Sequence, residues 1–172
     1  MRRLPPRRDG DEHGANRGLV TTRGGGVMTN RFVVTPNLCI GCRTCELACS
    51  FRHSVNGKPG QTRIFAVAGP MKEMWVPVTC LQCEDPACAK SCLVDAISRN
   101  EETGAMEIDQ EKCVKCMACV AACPFGCSIH DQQHHMIVKC DLCGGEPACA
   151  QFCPTKALVY QPVGSAKPKV VA

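Results

Sequence analysis

The chain has 172 residues, enough for one compact domain or two very small ones, and 17 of them are Cys. One Trp, one Tyr and five Phe leave little large apolar material, so side-chain burial alone would struggle to offset the entropy cost of folding. The formal net charge is +4 at pH 7, but no basic stripe with interleaved aromatic residues occurs, which argues against nucleic-acid binding.

The first 30 residues differ in composition from the rest of the chain. Residues 1–30 are rich in Arg, Gly and Asp, so we expect a disordered or non-native extension. Their Arg pairs are not followed by an apolar segment, which argues against a secretory or twin-arginine signal. Met28 begins the stretch MTNRFVVTPNLC, and we expect translation to start there. Residues 163–172 read as a second loose tail.

No segment of the sequence approaches the roughly 18 consecutive apolar residues that a membrane-spanning helix needs. We therefore expect no direct membrane insertion and a cytoplasmic location. In a reducing cytoplasm, thiols serve metal binding or redox chemistry rather than structural disulfides.

Short strands and helices are predicted around the cysteine-rich segments. In chain order, RFVVTPNLC from residue 31 reads as a strand, and TCELACSFRH has the spacing of one or two helical turns from Cys45. DAISRN from residue 95 and KALVY from residue 156 read as strands, as does GAMEIDQEKC, in which Met106 and Ile108 alternate with other residues. We predict an α+β fold in which small helices and hairpins wrap around bound cofactors.

Sixteen of the 17 Cys form four groups with one repeated spacing. Each group reads C-x2-C, then a gap of two, four, two or five residues, then C-x3-C. In chain order the groups are Cys39, Cys42, Cys45 and Cys49; Cys80, Cys83, Cys88 and Cys92; Cys113, Cys116, Cys119 and Cys123; and Cys140, Cys143, Cys149 and Cys153.

Disulfides, zinc and iron–sulfur clusters are the three interpretations of this spacing. A structural zinc site usually takes two short pairs of ligands separated by a longer loop, whereas here a third Cys follows each pair within a few residues. The run C-x2-C-x2-C-x3-C-P is typical of bacterial [4Fe–4S] ferredoxins, in which the fourth Cys binds the other cluster of a pair. The spacing therefore favours iron–sulfur clusters, although only two of the four groups end in Cys-Pro.

In order and spacing, the four groups resemble the four-cluster iron–sulfur subunits of multi-subunit oxidoreductases, over about residues 31–160. That superfamily serves formate dehydrogenases, dimethyl sulfoxide reductase, hydrogenases linked to carbon monoxide dehydrogenase, and tungsten aldehyde oxidoreductases. CIGCRTCELACSFRH and CDLCGGEPACAQFCPTKAL look most like the small subunits of the tungsten enzymes. The resemblance implies two ferredoxin-like dicluster units, an outer one of residues 31–73 and 134–162 and an inserted one of residues 74–133.

The resemblance also implies how the cysteines are shared among four [4Fe–4S] clusters, which spacing alone does not give. The implied ligands are Cys39, Cys42, Cys45 and Cys153 for cluster 1; Cys140, Cys143, Cys149 and Cys49 for cluster 2; Cys80, Cys83, Cys88 and Cys123 for cluster 3; and Cys113, Cys116, Cys119 and Cys92 for cluster 4. Because every cluster then has four Cys ligands, no iron is open to a substrate.

The function that the resemblance implies is electron transfer without catalysis. The protein would carry electrons between a catalytic tungsten or molybdenum oxidoreductase, oxidising aldehydes, and a flavoprotein, quinone or ferredoxin. The alternative is the same role in a hydrogenase, formate dehydrogenase or carbon monoxide dehydrogenase complex. A zinc-dependent scaffold and an independent small reductase are the rival classes. Clusters exposed at both ends would also allow end-to-end self-association.

Cys127 and the three His residues of the segment HDQQHH are further candidates for metal binding or redox chemistry. We expect Cys127 to be a small buried apolar residue rather than a ligand or redox sensor. His130, His134 and His135 are expected in a solvated loop, since sixteen thiolates already suffice for four clusters.

Overall fold

The computed structural model describes residues 30–71 and 73–163, so the predictions for residues 1–29 and for most of the C-terminal tail lie outside the described residues. The four described α-helices are short: α1 (Thr44–Arg52), α2 (Ala87–Lys90), α3 (Ala118–Ala122) and α4 (Ala148–Gln151). The eight described strands are β1 (Asn30–Val34), β2 (Ile64–Ala68), β3 (Trp75–Thr79), β4 (Ile97–Arg99), β5 (Met106–Ile108), β6 (Ser128–Asp131), β7 (Met136–Lys139) and β8 (Leu158–Pro162). Short 3-10 turns cover Pro36–Leu38 and Leu142–Gly145.

The described strands pair as four separate antiparallel sheets of two strands each. Three sheets, β2–β3, β4–β5 and β6–β7, join strands that follow each other in the sequence. The fourth joins β1 to β8, from Asn30 opposite Pro162 to Val34 opposite Leu158. A hydrogen bond of 2.8 Å from the Thr35 N–H to the Ala157 carbonyl extends this pairing. The β1–β8 sheet thus brings the first Cys group close to the last.

The sequence patterns predict part of this architecture correctly. The helix predicted from TCELACSFRH is α1, and the strands predicted before the first group, after residue 95, before the third group and after residue 156 are β1, β4, β5 and β8. The α+β class is therefore confirmed. The sequence patterns do not predict the β2–β3 and β6–β7 hairpins.

Thiols make up much of the protein core. One buried cluster of side chains contains Cys45, Cys49, Cys149 and Cys153 together with Ile64 and Leu158. A second contains Cys80, Cys127 and Cys140 with Ala105 and Leu142, and a third contains Cys119 with Ile97, Met106 and Ile137. Ile64, Ile137 and Leu158 are the only large apolar side chains, among the described residues, that are fully buried. The aliphatic core is therefore small and is continuous with the cysteines.

The segment after α1 is held against that helix by Gly60. The Gly60 N–H donates to the Ser50 carbonyl at 3.0 Å, and the Ser50 hydroxyl donates to the Gly60 carbonyl at 2.6 Å. A Cβ on Gly60 would lie 2.0 Å from the carbonyl oxygen of His53, closer than any non-bonded contact allows. The close approach of the two backbones therefore requires glycine at this position.

We predict that Gly60→Ala lowers the free energy of unfolding by about 1–3 kcal/mol, because the added methyl group overpacks a buried backbone contact. Anaerobic denaturant titration, followed by circular dichroism, measures the change. Lys58→Ala is the control, since Lys58 is exposed in the same loop and its loss should change stability by at most about 0.5 kcal/mol. Equal unfolding midpoints for the two variants would contradict the prediction.

Candidate iron–sulfur centres

The first and fourth Cys groups meet where α1 packs against α4. On α1, Cys45 and Cys49 are four residues apart, so both lie on the buried face of the helix. Burial raises the pKa of Cys45 to about 11, and the neighbouring thiols of Cys153 and Cys39 add to the rise. Three of the four cysteines predicted for cluster 1 therefore lie together. The fourth, Cys42, is exposed and accepts a hydrogen bond from the Thr44 hydroxyl at 3.4 Å.

Cys49 lies beside thiols of the fourth group. Burial raises the pKa of the Cys149 thiol, and the nearest thiols that raise it further include Cys140, Cys49 and Cys143. These are the four cysteines that the sequence predicts for cluster 2. The backbone at Cys143 has a φ of 51°, and its N–H donates to the Asp141 carboxylate at 2.9 Å. The structure thus gathers thiols that lie about a hundred residues apart in the sequence.

Three charged residues that the sequence patterns did not identify surround this second site. Asp141 binds both the His53 Nε2 at 3.1 Å and the Arg63 Nη1 at 2.5 Å. The His53 Nδ1 lies 3.7 Å from the Cys49 sulfur, and the Arg63 backbone N–H donates to that sulfur at 3.3 Å. The only sequence signal is position, since His53 follows Cys49 by four residues and Asp141 follows Cys140 directly.

The electrostatics of this network favour its charged form. Burial acts to raise the pKa of Asp141, but the hydrogen bond from His53 and the charge of Arg63 hold it well below its usual range. Burial acts to lower the pKa of His53, but hydrogen bonds to Asp141, Cys143 and Cys49 outweigh burial and raise the pKa to about 11. The second site therefore has the Asp141 carboxylate between the Arg63 guanidinium and an imidazole whose pKa is raised.

The second and third Cys groups form another pair of sites where α2 packs against α3. A cavity of about 170 Å³ is lined by all four cysteines predicted for cluster 3, which are Cys80, Cys83, Cys88 and Cys123. Burial raises the pKa of Cys88, with contributions from the thiols of Cys80 and Cys123. A smaller cavity of about 20 Å³ is lined by all four cysteines predicted for cluster 4, which are Cys92, Cys113, Cys116 and Cys119.

The fourth Cys of each group has a hydrogen-bonding group next to its sulfur. Backbone N–H groups donate to the sulfurs of Cys49, Cys92 and Cys123 at 3.3, 3.2 and 3.3 Å. In the fourth group, the Thr155 hydroxyl lies 3.9 Å from the Cys153 sulfur. Hydrogen bonds to a ligand sulfur stabilise its negative charge and help to set the potential of a cluster.

The donor sets fit [4Fe–4S] clusters. The smaller cavity has four thiols, the ligand number and type that a cubane requires, and the larger cavity has the four predicted for cluster 3 together with Cys127. The hydroxyl of Ser128, which also lines the larger cavity, is buried and has no hydrogen-bond partner among the described residues. A buried hydroxyl without a partner is costly, and a cluster sulfide in the cavity would supply one.

Two predictions for the remaining residues have different outcomes. Cys127 is 3% exposed, and burial raises its pKa to about 12, so the predicted burial is confirmed; that it is not a ligand stays a prediction. The prediction of a solvated loop is wrong for His134, whose Nδ1 lies 2.7 Å from the buried Asp131 carboxylate. Asp131 also accepts the N–H groups of Gln133 and His134, which folds this segment into the β6–β7 hairpin. The prediction is also wrong for His130, which is half-buried on β6, whereas it is confirmed for His135, which is exposed in the turn.

Within residues 30–71 and 73–163, every helix is too short or too polar to span a lipid bilayer.

Comparison with protein-family models gives two matches to this sequence. Residues 71–162 match the 4Fe-4S dicluster domain, and residues 36–52 match a 4Fe-4S binding domain. The second match covers the first Cys group, and the first covers the other three.

Similar proteins include subunits of oxidoreductases that differ in the substrates their names give. The polyferredoxin-like subunit of an aliphatic sulfonate oxidoreductase from Pyrococcus furiosus is 39% identical over 70% of this chain and 69% of its own length. A subunit of the anaerobic dimethyl sulfoxide reductase of Escherichia coli is 30% identical over 80% of this chain and 76% of its own length. Among solved structures, the active site complex BamBC of benzoyl coenzyme A reductase with 1,5 dienoyl-CoA matches 83% of this chain and 80% of that chain at 22% identity. Its TM-score of 0.45 is too low to carry an argument.

We predict that removing iron unfolds the chain, because the buried cysteines form much of the core and the energy of metal binding becomes folding energy. Far-ultraviolet circular dichroism before and after anaerobic chelation tests this. Most of the regular secondary-structure signal should be lost and should return on reconstitution with iron and sulfide. A native-like spectrum after chelation would show that the aliphatic core suffices for folding.

Proposed function

The chain belongs to the 4Fe–4S dicluster domain family and is an electron-transfer iron–sulfur subunit of an oxidoreductase complex, and from that premise we propose that it carries electrons along four [4Fe–4S] clusters arranged in series. The catalytic step belongs to a partner subunit. Bound clusters supply one-electron transfer, and this chain's own residues bind them, exclude water from them and donate hydrogen bonds to their ligands.

The proposed ligands are those that the family resemblance implies. They are Cys39, Cys42, Cys45 and Cys153 for cluster 1; Cys140, Cys143, Cys149 and Cys49 for cluster 2; Cys80, Cys83, Cys88 and Cys123 for cluster 3; and Cys113, Cys116, Cys119 and Cys92 for cluster 4. Two observations support this partition. The thiols around Cys45 and Cys149 come from the first and fourth groups. The two cavities combine cysteines of the second and third groups.

Contacts between cysteines of different proposed clusters support a linear order. Cys149 of cluster 2 lies near Cys45 of cluster 1. Cys140, another ligand of cluster 2, lies near Cys80 of cluster 3, and both belong to one buried core. Cys119 of cluster 4 in turn lies near Cys88 of cluster 3. The proposed path therefore runs from cluster 1 through 2 and 3 to 4, and the Cys80–Cys140 neighbourhood is the observation that carries it.

The same contacts support an outer unit of residues 31–73 and 134–162 and an inserted unit of residues 74–133. The outer unit would be held by the β1–β8 sheet and by packing between α1 and α4. The inserted unit would be held by packing between α2 and α3. Electrons would cross between the two units at the Cys80–Cys140 neighbourhood.

For the catalytic partner we propose a tungsten or molybdenum oxidoreductase, with an aldehyde as the substrate class and a flavoprotein, quinone or ferredoxin at the other end, in the cytoplasm. The aldehyde assignment rests on the likeness of the first and fourth Cys groups to the small subunits of tungsten enzymes. A hydrogenase, formate dehydrogenase or carbon monoxide dehydrogenase is the alternative partner. The residues along an electron path are specific for the cofactor and not for the substrate, so related proteins can serve enzymes with different substrates.

Affinity purification from the native source, followed by mass spectrometry, tests the partner. A co-purifying pterin-dependent oxidoreductase that oxidises an aldehyde supports the proposal, whereas a hydrogenase or carbon monoxide dehydrogenase supports the alternative. Light scattering of the purified complex tests end-to-end self-association, since a mass that stays at one copy per catalytic subunit at all concentrations would exclude it.

The ligand partition predicts a specific pattern of cluster losses. Because Ser is a poorer match to iron than Cys, Cys49→Ser and Cys140→Ser should both perturb the paramagnetic resonance signal of cluster 2. Cys39→Ser, in the same group as Cys49, should perturb a different signal. Cys127→Ser is the matched control and should leave all four signals in place.

Matching spectra for Cys49→Ser and Cys39→Ser, with a distinct spectrum for Cys140→Ser, would contradict the partition. That result would mean that each Cys group holds its own cluster.

A further inference from the structure

One buried cation lies beside the proposed site of cluster 3. Lys139 is 4% exposed, and its ammonium donates to the Cys80 sulfur at 3.6 Å and to the Met106 carbonyl at 2.7 Å. Lys139 also lines the cavity that contains Cys80, Cys83, Cys88 and Cys123. Lysine is rarely buried to this extent unless its charge has a partner.

Lys139 forms no ion pair with a carboxylate within residues 30–71 and 73–163, although Glu107 and Asp141 line a neighbouring cavity with it. The second site differs, because there Asp141 lies between His53 and Arg63 and offsets part of their charge. The groups that accept hydrogen bonds from the Lys139 ammonium are a thiol and a carbonyl, so a positive charge faces the cysteine cavity.

A second buried polar residue, Ser128, lines the same cavity. Ser128 lies directly opposite Lys139 in the β6–β7 pairing, and it is 2% exposed. Its hydroxyl has no hydrogen-bond partner among the described residues. A buried ammonium without a carboxylate partner, next to a buried hydroxyl without any partner, indicates an anionic occupant of the cavity.

We propose that Lys139 tunes electron transfer, because its charge raises the reduction potential of the cluster held by Cys80, Cys83, Cys88 and Cys123. This inference rests on the proposed four-cluster function. Reduction of this cluster would transfer one electron to it from a neighbouring cluster, which would be oxidised, and would add one negative charge to it. A cation at hydrogen-bond distance in a buried site stabilises the reduced state more than the oxidised state.

Lys139 lies between proposed ligands of two neighbouring clusters. Lys139 directly precedes Cys140, a proposed ligand of cluster 2, while its ammonium contacts Cys80, a proposed ligand of cluster 3. The charge therefore lies where electrons would pass between the two units. The charge makes cluster 3 a more favourable electron acceptor at that junction.

The test is a redox titration followed by paramagnetic resonance on the full chain with its clusters. Wild-type protein is measured first, and Cys83→Ser identifies the signal of cluster 3 by its loss. Lys139→Met should then lower the ratio of reduced to oxidised cluster 3 at least tenfold at a fixed potential, which is about 59 mV for a one-electron couple. The other three potentials should move less. Lys115→Met is the matched control, because Lys115 lies between two proposed ligands but is exposed to solvent.

Each outcome decides the proposal. Four signals with an unchanged cluster 3 potential in Lys139→Met would overturn it and leave the four-cluster function standing. A wild-type protein without four signals would contradict the proposed function itself. If Lys139→Met fails to hold cluster 3, Lys139→Arg replaces it as the test. If Lys139→Arg holds cluster 3 at the wild-type potential, the result supports a requirement for the positive charge. If Lys139→Arg loses cluster 3 although it keeps the charge, the proposal is overturned, because side-chain packing alone would explain the loss.

Discussion

The placement of cysteine sulfur in the protein interior is the constraint on which the rest of the structure depends. The chain has few large apolar side chains, and its buried cores combine those few with thiols. Burial raises the pKa of Cys149, because it disfavours the charged thiolate. The neighbouring sulfurs raise this pKa further, because thiolates repel one another. Bound iron removes that conflict, because it binds the deprotonated sulfurs and links segments that the small aliphatic core does not hold.

The meeting of thiols from different groups gives this sulfur-rich interior its connectivity. Cys49 lies near thiols that are about a hundred residues away in the sequence. The β1–β8 sheet brings those two parts of the chain together. The Cys80–Cys140 neighbourhood then connects the two halves. Under the proposed ligand partition, the same contacts that hold the fold also define the order of the electron path. Stability and electron transfer would therefore depend on the same residues.

The sequence predicts the elements of this fold better than their environment. The pattern of TCELACSFRH identifies α1, and alternation at Met106 and Ile108 identifies β5, because these elements depend on local periodicity. The pairing of β1 with β8 has no local signal, since it joins the two ends of the described chain. The β2–β3 hairpin includes Pro77, a residue that argues against a central strand and is tolerated here in a sheet of only two strands.

The charged groups near the cysteines were missed for a different reason. Lys is usually exposed and His is found in both settings, so nothing in the sequence distinguishes the buried Lys139 or the ion-paired His134 from solvated residues. Their environment is set by folded contacts, such as Lys139 with Cys80 and His134 with Asp131. The His53–Asp141–Arg63 network likewise joins residues from three separate segments. Composition and spacing predict the ligands, whereas the charged residues beside them become visible only in three dimensions.

The central claim is that four clusters lie in series, with cysteines exchanged between groups. An anomalous-scattering map of crystals of the iron-loaded protein, collected at the iron absorption edge, tests this claim most directly. The account predicts four cubane peaks in single file, with the Cys80 and Cys140 sulfurs on adjacent cubanes at the centre of the row. Fewer than four peaks, or a cubane bound by all four cysteines of one group, would contradict it.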